Sequence, residues 1–211
     1  MNLLHLATAL LVLSAQAAVV LNPISGITSK NLMYTGTIGV GTEKLFFTFY
    51  GKDGETKPDS LSQNALYIAM GSPGRSAQYI NVGGLGPKIL NSQLYLIDNP
   101  NSATQFANIM FVDLLSSGFS FPSSADAIPK TSRDYGVMIT KAVNTFINEA
   151  SIGKSKSVYI IGESTFLRVL PGLDDITPLK GIVHISGWFD LYGTGKYYGT
   201  GGVELKIFTD S

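Results

Sequence analysis

The segment that most constrains the fold is Asp134–Ala150, with the apolar stretches on either side of it. Tyr135, Met138, Ile139, Ala142, Val143, Phe146, Ile147 and Ala150 recur at three- and four-residue intervals, which makes one apolar helix face. Thr131 or Ser132 can cap the start of this helix and Gly153 can end it. Asn108–Asp113 before it and Ser157–Ile161 after it are short apolar runs of strand type. Strand, amphipathic helix, strand is the pattern of a parallel crossover, so the chain is expected to build an α/β sheet covered by helices. Ala65–Met70, Gln93–Ile97 and Gly181–Ser186 read as further strands. Met33–Val40 and Lys44–Tyr50, joined by Gly41-Thr42-Glu43, read as an antiparallel hairpin at one edge. Ligands of such sheets collect beyond the carboxyl ends of the strands, which directs attention to the loops after Met70, Asp113 and Ile161.

Composition narrows the class. Apolar residues make up 45% and charged residues 14% of 211 residues, the balance of one packed domain rather than of a disordered chain. Lys+Arg and Asp+Glu balance at 15 each, so no net field draws in nucleic acid. Leu3–Leu13 is an apolar run too short to span a bilayer. Ala15-Gln16-Ala17 supplies a small-x-small cleavage site before Ala18. Residues 1–17 therefore read as a signal peptide and 18–211 as a single domain, with a secreted or vacuolar/lysosomal destination and no membrane anchor. There is no cysteine and no Asn-x-Ser/Thr sequon, so neither disulfides nor N-glycans are expected. With His184 the only histidine after His5, no metal site is expected either.

Val158–Ser164 reads as a strand running into Gly162-Glu163-Ser164. In α/β-hydrolases the nucleophile sits on a tight turn at the end of a strand, with small residues two before and two after it. Gly162 satisfies the first condition and Phe166 fails the second, so the turn is expected to be strained or repacked. On this motif alone, an ordinary serine capping the next helix fits as well. Gly153-Lys154-Ser155 follows a helix and lacks the first glycine of a phosphate-binding loop. Gly193–Gly202 has the wrong spacing for a dinucleotide loop, and Trp188 and Phe189 read as core.

Beyond the Gly-x-Ser turn, the chain resembles the serine carboxypeptidase family. Gly162-Glu163-Ser164 with Pro171 is similar to that family's Gly-Glu-Ser-Tyr-Ala-Gly-x-Tyr-Val-Pro. Tyr67–Pro87 is similar to its Trp-Leu-Asn-Gly-Gly-Pro-Gly-Cys-Ser-Ser segment and the Gly-Pro that follows. Tyr34-Thr35-Gly36, Phe111-Val112-Asp113, Gly118-Phe119-Ser120-Phe121 and Leu179-Lys180-Gly181-Ile182 match further blocks in order, with Gly187 and Asp190 after them. The resemblance implies an α/β-hydrolase-type, mainly parallel sheet flanked by helices, incomplete at its C-terminal side. It implies release of C-terminal residues from peptides by serine acyl transfer without a cofactor. Carried over, Ser164 is the nucleophile, the N–H groups of Ser72 and Thr165 are the oxyanion donors, and Glu163 helps recognise the substrate carboxylate.

The departures are as informative. The family's carboxylate-binding Asn falls on Met70 and its partner Glu on Gly84; its oxyanion Gly is Ser72, and its motif Cys is Arg75. The triad acid and base of the family lie downstream of anything in these 211 residues. His184 reads as a sheet histidine, Asp190 as structural, and Asp174, Asp175 and Asp210 as solvated carboxylates. The chain is thus expected to be inactive by itself. The alternatives are a secreted paralogue that binds peptides or proteins without cleaving them, or a piece of an esterase or acyltransferase of the same fold. An uncovered strand at Gly181–Ser186 would favour self-association.

Overall fold

The computed structural model describes residues 19–26, 30–152, 154–155, 157–173, 176–177 and 179–187. The signal peptide expected at 1–17, and Gly153, Asp174, Asp175, Trp188, Phe189, Asp190, Gly193–Gly202 and Asp210, lie outside the described residues.

Seven described strands form one sheet: β1 (Val19–Ile24), β2 (Met33–Val40), β3 (Glu43–Tyr50), β4 (Leu66–Met70), β7 (Asn108–Val112), β8 (Val158–Glu163) and β9 (Leu179–Ile185), in the order β1-β2-β3-β7-β4-β8-β9. β1, β2, β3 and β7 pair antiparallel in succession. β7, β4, β8 and β9 pair in parallel. The expected hairpin is present, but β1 lies outside it, so the antiparallel share is larger by one strand. β1 was illegible because it carries Asn22 and Pro23 and hides little of its surface; Pro is tolerated on an edge strand, where its missing N–H costs no ladder bond.

The alternation of side chains sorts the sheet into two cores. Leu66, Ile68 and Met70 of β4, Met110 and Val112 of β7, and Val158 and Ile160 of β8 face one side. There they meet Met138, Ile139, Ala142, Val143, Phe146 and Ile147 of the long helix α2 (Ser132–Glu149). Ala69, Ile109, Phe111 and Ile161 face the other side and pack against Ala77 and Ile80. Ile80 ends the short helix α1 (Gln78–Ile80), which continues as a wide turn through Asn81–Leu85. Every residue of β7 is buried, as a strand covered on both faces requires.

Thr131 caps α2: its hydroxyl accepts from the Asp134 N–H at 3.1 Å, and the Asp134 carboxylate accepts from the Thr131 N–H at 3.0 Å. The helix ends at Glu149, short of Gly153, because Ala150 turns extended and enters the core. Gln93–Ile97 is not a strand throughout. Asn91 Oδ1 accepts from the N–H groups of Gln93 and Tyr95, both at 2.9 Å, and so folds that stretch into a turn. Only Leu96–Asp98 (β6) is extended, paired with Lys88–Leu90 (β5) in a separate ribbon.

From β4 the chain reaches β7 on one side. From β7 it crosses by way of α2 to β8 on the other side of β4. The carboxyl end of β4 is thus a point where neighbouring connections diverge, which opens a crevice there.

Candidate active site

β8 delivers Ser164 to this crevice. The residue has φ +56°, in the left-handed region, immediately after the strand and at the start of a 3₁₀ segment, Ser164–Gly172. A non-glycine residue held there costs on the order of 1–3 kcal/mol, which the surrounding structure must supply. Two close approaches do so. A Cβ at Gly162 would stand 1.8 Å from Phe166 Cδ1, so the ring lies directly over the Gly162 Cα. A Cβ at Gly136 of α2 would stand 2.4 Å from the Val169 carbonyl oxygen and 2.6 Å from the Gly172 Cα, so the 3₁₀ segment is seated against α2 backbone to backbone. Of the two outcomes expected for Phe166, the structure takes the repacked one: the ring is fully buried in the α2-facing core, in space that Gly162 leaves open.

The loop after β4 comes next to this turn. The parallel ladder sets Met70 level with Gly162, and the Ser72 hydroxyl donates to the Glu163 carbonyl at 2.8 Å. Ser72 keeps an ordinary negative φ, so replacing glycine there brings no dihedral strain; it adds a tie that glycine could not make. Among the described residues no hydrogen bond takes up the Ser72 N–H. Thr165 is the second residue of the 3₁₀ segment, whose opening N–H groups have no acceptor within the segment. The Ser72 and Thr165 N–H groups, expected to flank a developing oxyanion, thus sit on the two segments that adjoin Ser164.

Asp113, at the end of β7, locks the loop. Its fully buried carboxylate accepts from the Ser76 hydroxyl at 2.7 Å, from the Ala77 N–H at 2.8 Å and from the Phe119 N–H at 2.9 Å. Sequence reasoning placed Asp113 in a motif without a task. Its partners are remote in sequence, and the only signal was an acid closing an otherwise apolar strand. Behind α1 a second buried polar group holds the wall of the crevice. Asn81 Nδ2 donates to the Tyr50 hydroxyl at 3.2 Å and to Gln78 Oε1 at 3.0 Å. Burial pushes the Tyr50 hydroxyl above the usual tyrosine range, opposed by the Asn81 hydrogen bond.

The resulting cleft is lined by Tyr79, Ile80, Gly83, Gly84, Leu85, Glu163 and Ile185 and encloses about 280 Å³. Gly84 leaves its floor without the carboxylate that the family pattern places there. Met70, where that pattern has Asn, is fully buried in the core on the α2 side. Glu163 meets Arg75 Nη1 at 3.3 Å through Oε1, while its Oε2 is buried with no hydrogen-bond partner. His184 lies on β9, level with Gly162, with its ring against Gly187. No cluster of acids and histidines fit to hold a metal ion occurs among the described residues. No helix among them is long and apolar enough to cross a membrane.

A left-handed serine closing a parallel strand, over a glycine and under a neighbouring loop with unspent N–H groups, defines the α/β-hydrolase class. The comparisons narrow this. The family profile described as serine carboxypeptidase matches residues 24–167, and the chain belongs to that family. It is 31% identical to the pheromone-processing carboxypeptidase kex1 of Schizosaccharomyces japonicus, over 79% of this chain and 34% of that protein. It is 29% identical to serine carboxypeptidase S10 family member 1 of Dictyostelium discoideum, over 70% of this chain and 37% of that protein. The fold superposes on Kex1(delta)p, a prohormone-processing carboxypeptidase from Saccharomyces cerevisiae, with a TM-score of 0.69 at 17% identity, covering 86% of this chain and 44% of the other. The chain thus spans about a third of the length of the curated relatives it matches.

Proposed function

We propose that these 211 residues hold the C-terminal end of a peptide beside Ser164 in a carboxypeptidase-type site and do not by themselves cleave it. The observation that carries the reading is the state of Ser164: its left-handed turn suits a nucleophile, yet among the described residues no hydrogen bond joins its hydroxyl to a base. A serine hydroxyl attacks a carbonyl only when a neighbouring base takes its proton. His184 is the one histidine of the sequence after His5, and it lies on β9 at the level of Gly162 with its ring against Gly187. Ser72 and Thr165 would supply oxyanion donors, and Glu163 would face the bound residue. Such a site retains at most the roughly 10³–10⁴-fold effect of oxyanion hole and binding that outlasts loss of a triad.

An esterase or acyltransferase reading would need a base that the described residues do not place beside Ser164, so it meets the same objection. Leu3–Leu13 and Ala15-Gln16-Ala17 support entry into the secretory pathway with cleavage before Ala18. Incubation of the full chain with N-blocked peptides, followed by mass spectrometry of the released residues, tests the reading. No release above that of Ser164→Ala is expected; Ser164-dependent release refutes it.

A further inference from the structure

We propose that Arg75 is the specificity-determining residue of the cleft: it receives the free carboxylate of the bound C-terminal residue, while Glu163 Oε2 accepts that residue's own N–H. The inference rests on the proposed peptide-binding role and assigns its ligand chemistry.

Three observations converge. The Arg75 guanidinium lies 4.0 Å from the centre of the Tyr79 ring, and Tyr79 is part of the cleft wall. A stacked guanidinium keeps its N–H donors in one plane, pointing outward from the ring edge. Among the described residues only Nη1 forms an ion pair, with Glu163 Oε1 at 3.3 Å, and the side chain is 42% exposed. A planar donor set that is anchored at one end and open at the other suits a second carboxylate, which Arg binds in bidentate fashion. On the other side of the pair, Glu163 Oε2 is buried without a partner, a costly state that a ligand donor would relieve.

Beside this ion pair the cleft walls are apolar: Ile80, Leu85 and Ile185, with Gly83 and Gly84 adding room. The complementary ligand carries a carboxylate, a donor on the adjacent atom and an apolar side chain, which describes an apolar C-terminal residue. Arg75 and Glu163 offset each other's charge. The pair therefore does not repel a carboxylate, as Glu163 alone would. This division of labour needs no second acid at position 84 and no amide at position 70, the two places where the chain has Gly84 and Met70.

Titration calorimetry of the full chain with N-acetyl-Ala-Leu as the free acid and as the C-terminal amide tests the assignment. The acid is expected to bind at least tenfold more tightly than the amide. Arg75→Gln should erase that difference by weakening the acid alone, and Arg75→Lys should restore part of it, since a point charge remains without the planar fork. Arg75→Gln leaves the largely buried Glu163 without its ion pair, so melting temperatures are measured alongside, and Arg75→Lys, which keeps the charge, controls for any loss of fold. Equal binding of acid and amide, or an acid preference that survives in Arg75→Gln, overturns the assignment while leaving a peptide-binding cleft in place. Binding of neither peptide overturns both this assignment and the function proposed above.

Discussion

Substituting Gly162 by alanine probes how the elbow is held. The glycine φ is not left-handed, so alanine brings no dihedral penalty, and the effect is purely steric. A methyl carbon would stand 1.8 Å from Phe166 Cδ1, 2.2 Å from Cγ and 2.7 Å from Cβ, all closer than non-bonded carbons approach. The far end of the ring cannot swing aside, because Phe166 is fully buried and its own Cβ is part of the clash. Gly162→Ala must therefore expel or displace the ring, at a cost approaching the 3–5 kcal/mol typical of deleting a buried Phe. At about 3 kcal/mol, and with roughly 2–4 °C per kcal/mol for a domain of this size, the melting temperature should fall by about 6–12 °C. Phe166→Ala alone should cost about 3–5 kcal/mol. In that background the methyl has no ring to meet, so Gly162→Ala should add less than about 1 kcal/mol, a coupling of about 2 kcal/mol or more. Urea unfolding of the four proteins, with m-values compared to exclude changes in the denatured state, measures the cycle. Additive costs, or a Gly162→Ala protein within about 1 kcal/mol of the parent, would refute the arrangement of ring over glycine.

Asp113→Ala should cost about 3 kcal/mol or more in thermal stability, because it orphans the Ala77 and Phe119 N–H groups, and it should weaken peptide binding as the Ser72 loop loosens. Burial raises the Tyr50 pKa, so the folded state keeps this proton longer than the unfolded chain does. The contribution is complete below about pH 10 and is lost as pH rises through the folded-state value. Melting temperatures recorded up the alkaline range should therefore fall more steeply in the parent than in Tyr50→Phe; parallel curves would contradict this. β9 ends the sheet among the described strands and leaves Ile182, Val183 and Ile185 at least 36% exposed. Light scattering of the purified chain should accordingly show a mass that rises with concentration, and lysine at Ile182 should suppress that rise.

What the sequence disclosed follows from the range of the interactions involved. Period-2 and period-3.6 patterns are local, so β2, β4, β7, β8 and α2 were each legible to within a few residues. The family blocks put Ser164, Ser72 and Glu163 on turns that follow strands, and the strands β4 and β8 lie where those blocks require, because a strand-turn motif is also local. β1 escaped because an edge strand needs little apolar patterning, and Gln93–Tyr95 misled because one Asn91 side chain organises a turn that residue preferences do not announce. The clamp of Asp113 on the Ser72 loop and the pairing of Arg75 with Glu163 join segments that only the folded sheet brings together. Phe166 looked like a fault in the elbow. Its accommodation depends on the exact void above Gly162, which no residue-by-residue pattern encodes.

The central claim is a nucleophile held in place without its base. A fluorophosphonate probe reports on this directly, because it labels only a serine activated by a proton acceptor. Incubated with the intact 211-residue chain and read by intact-mass spectrometry, it should leave the protein essentially unlabelled, indistinguishable from Ser164→Ala. Stoichiometric labelling that disappears in Ser164→Ala would show that Ser164 has found a base and would contradict the account.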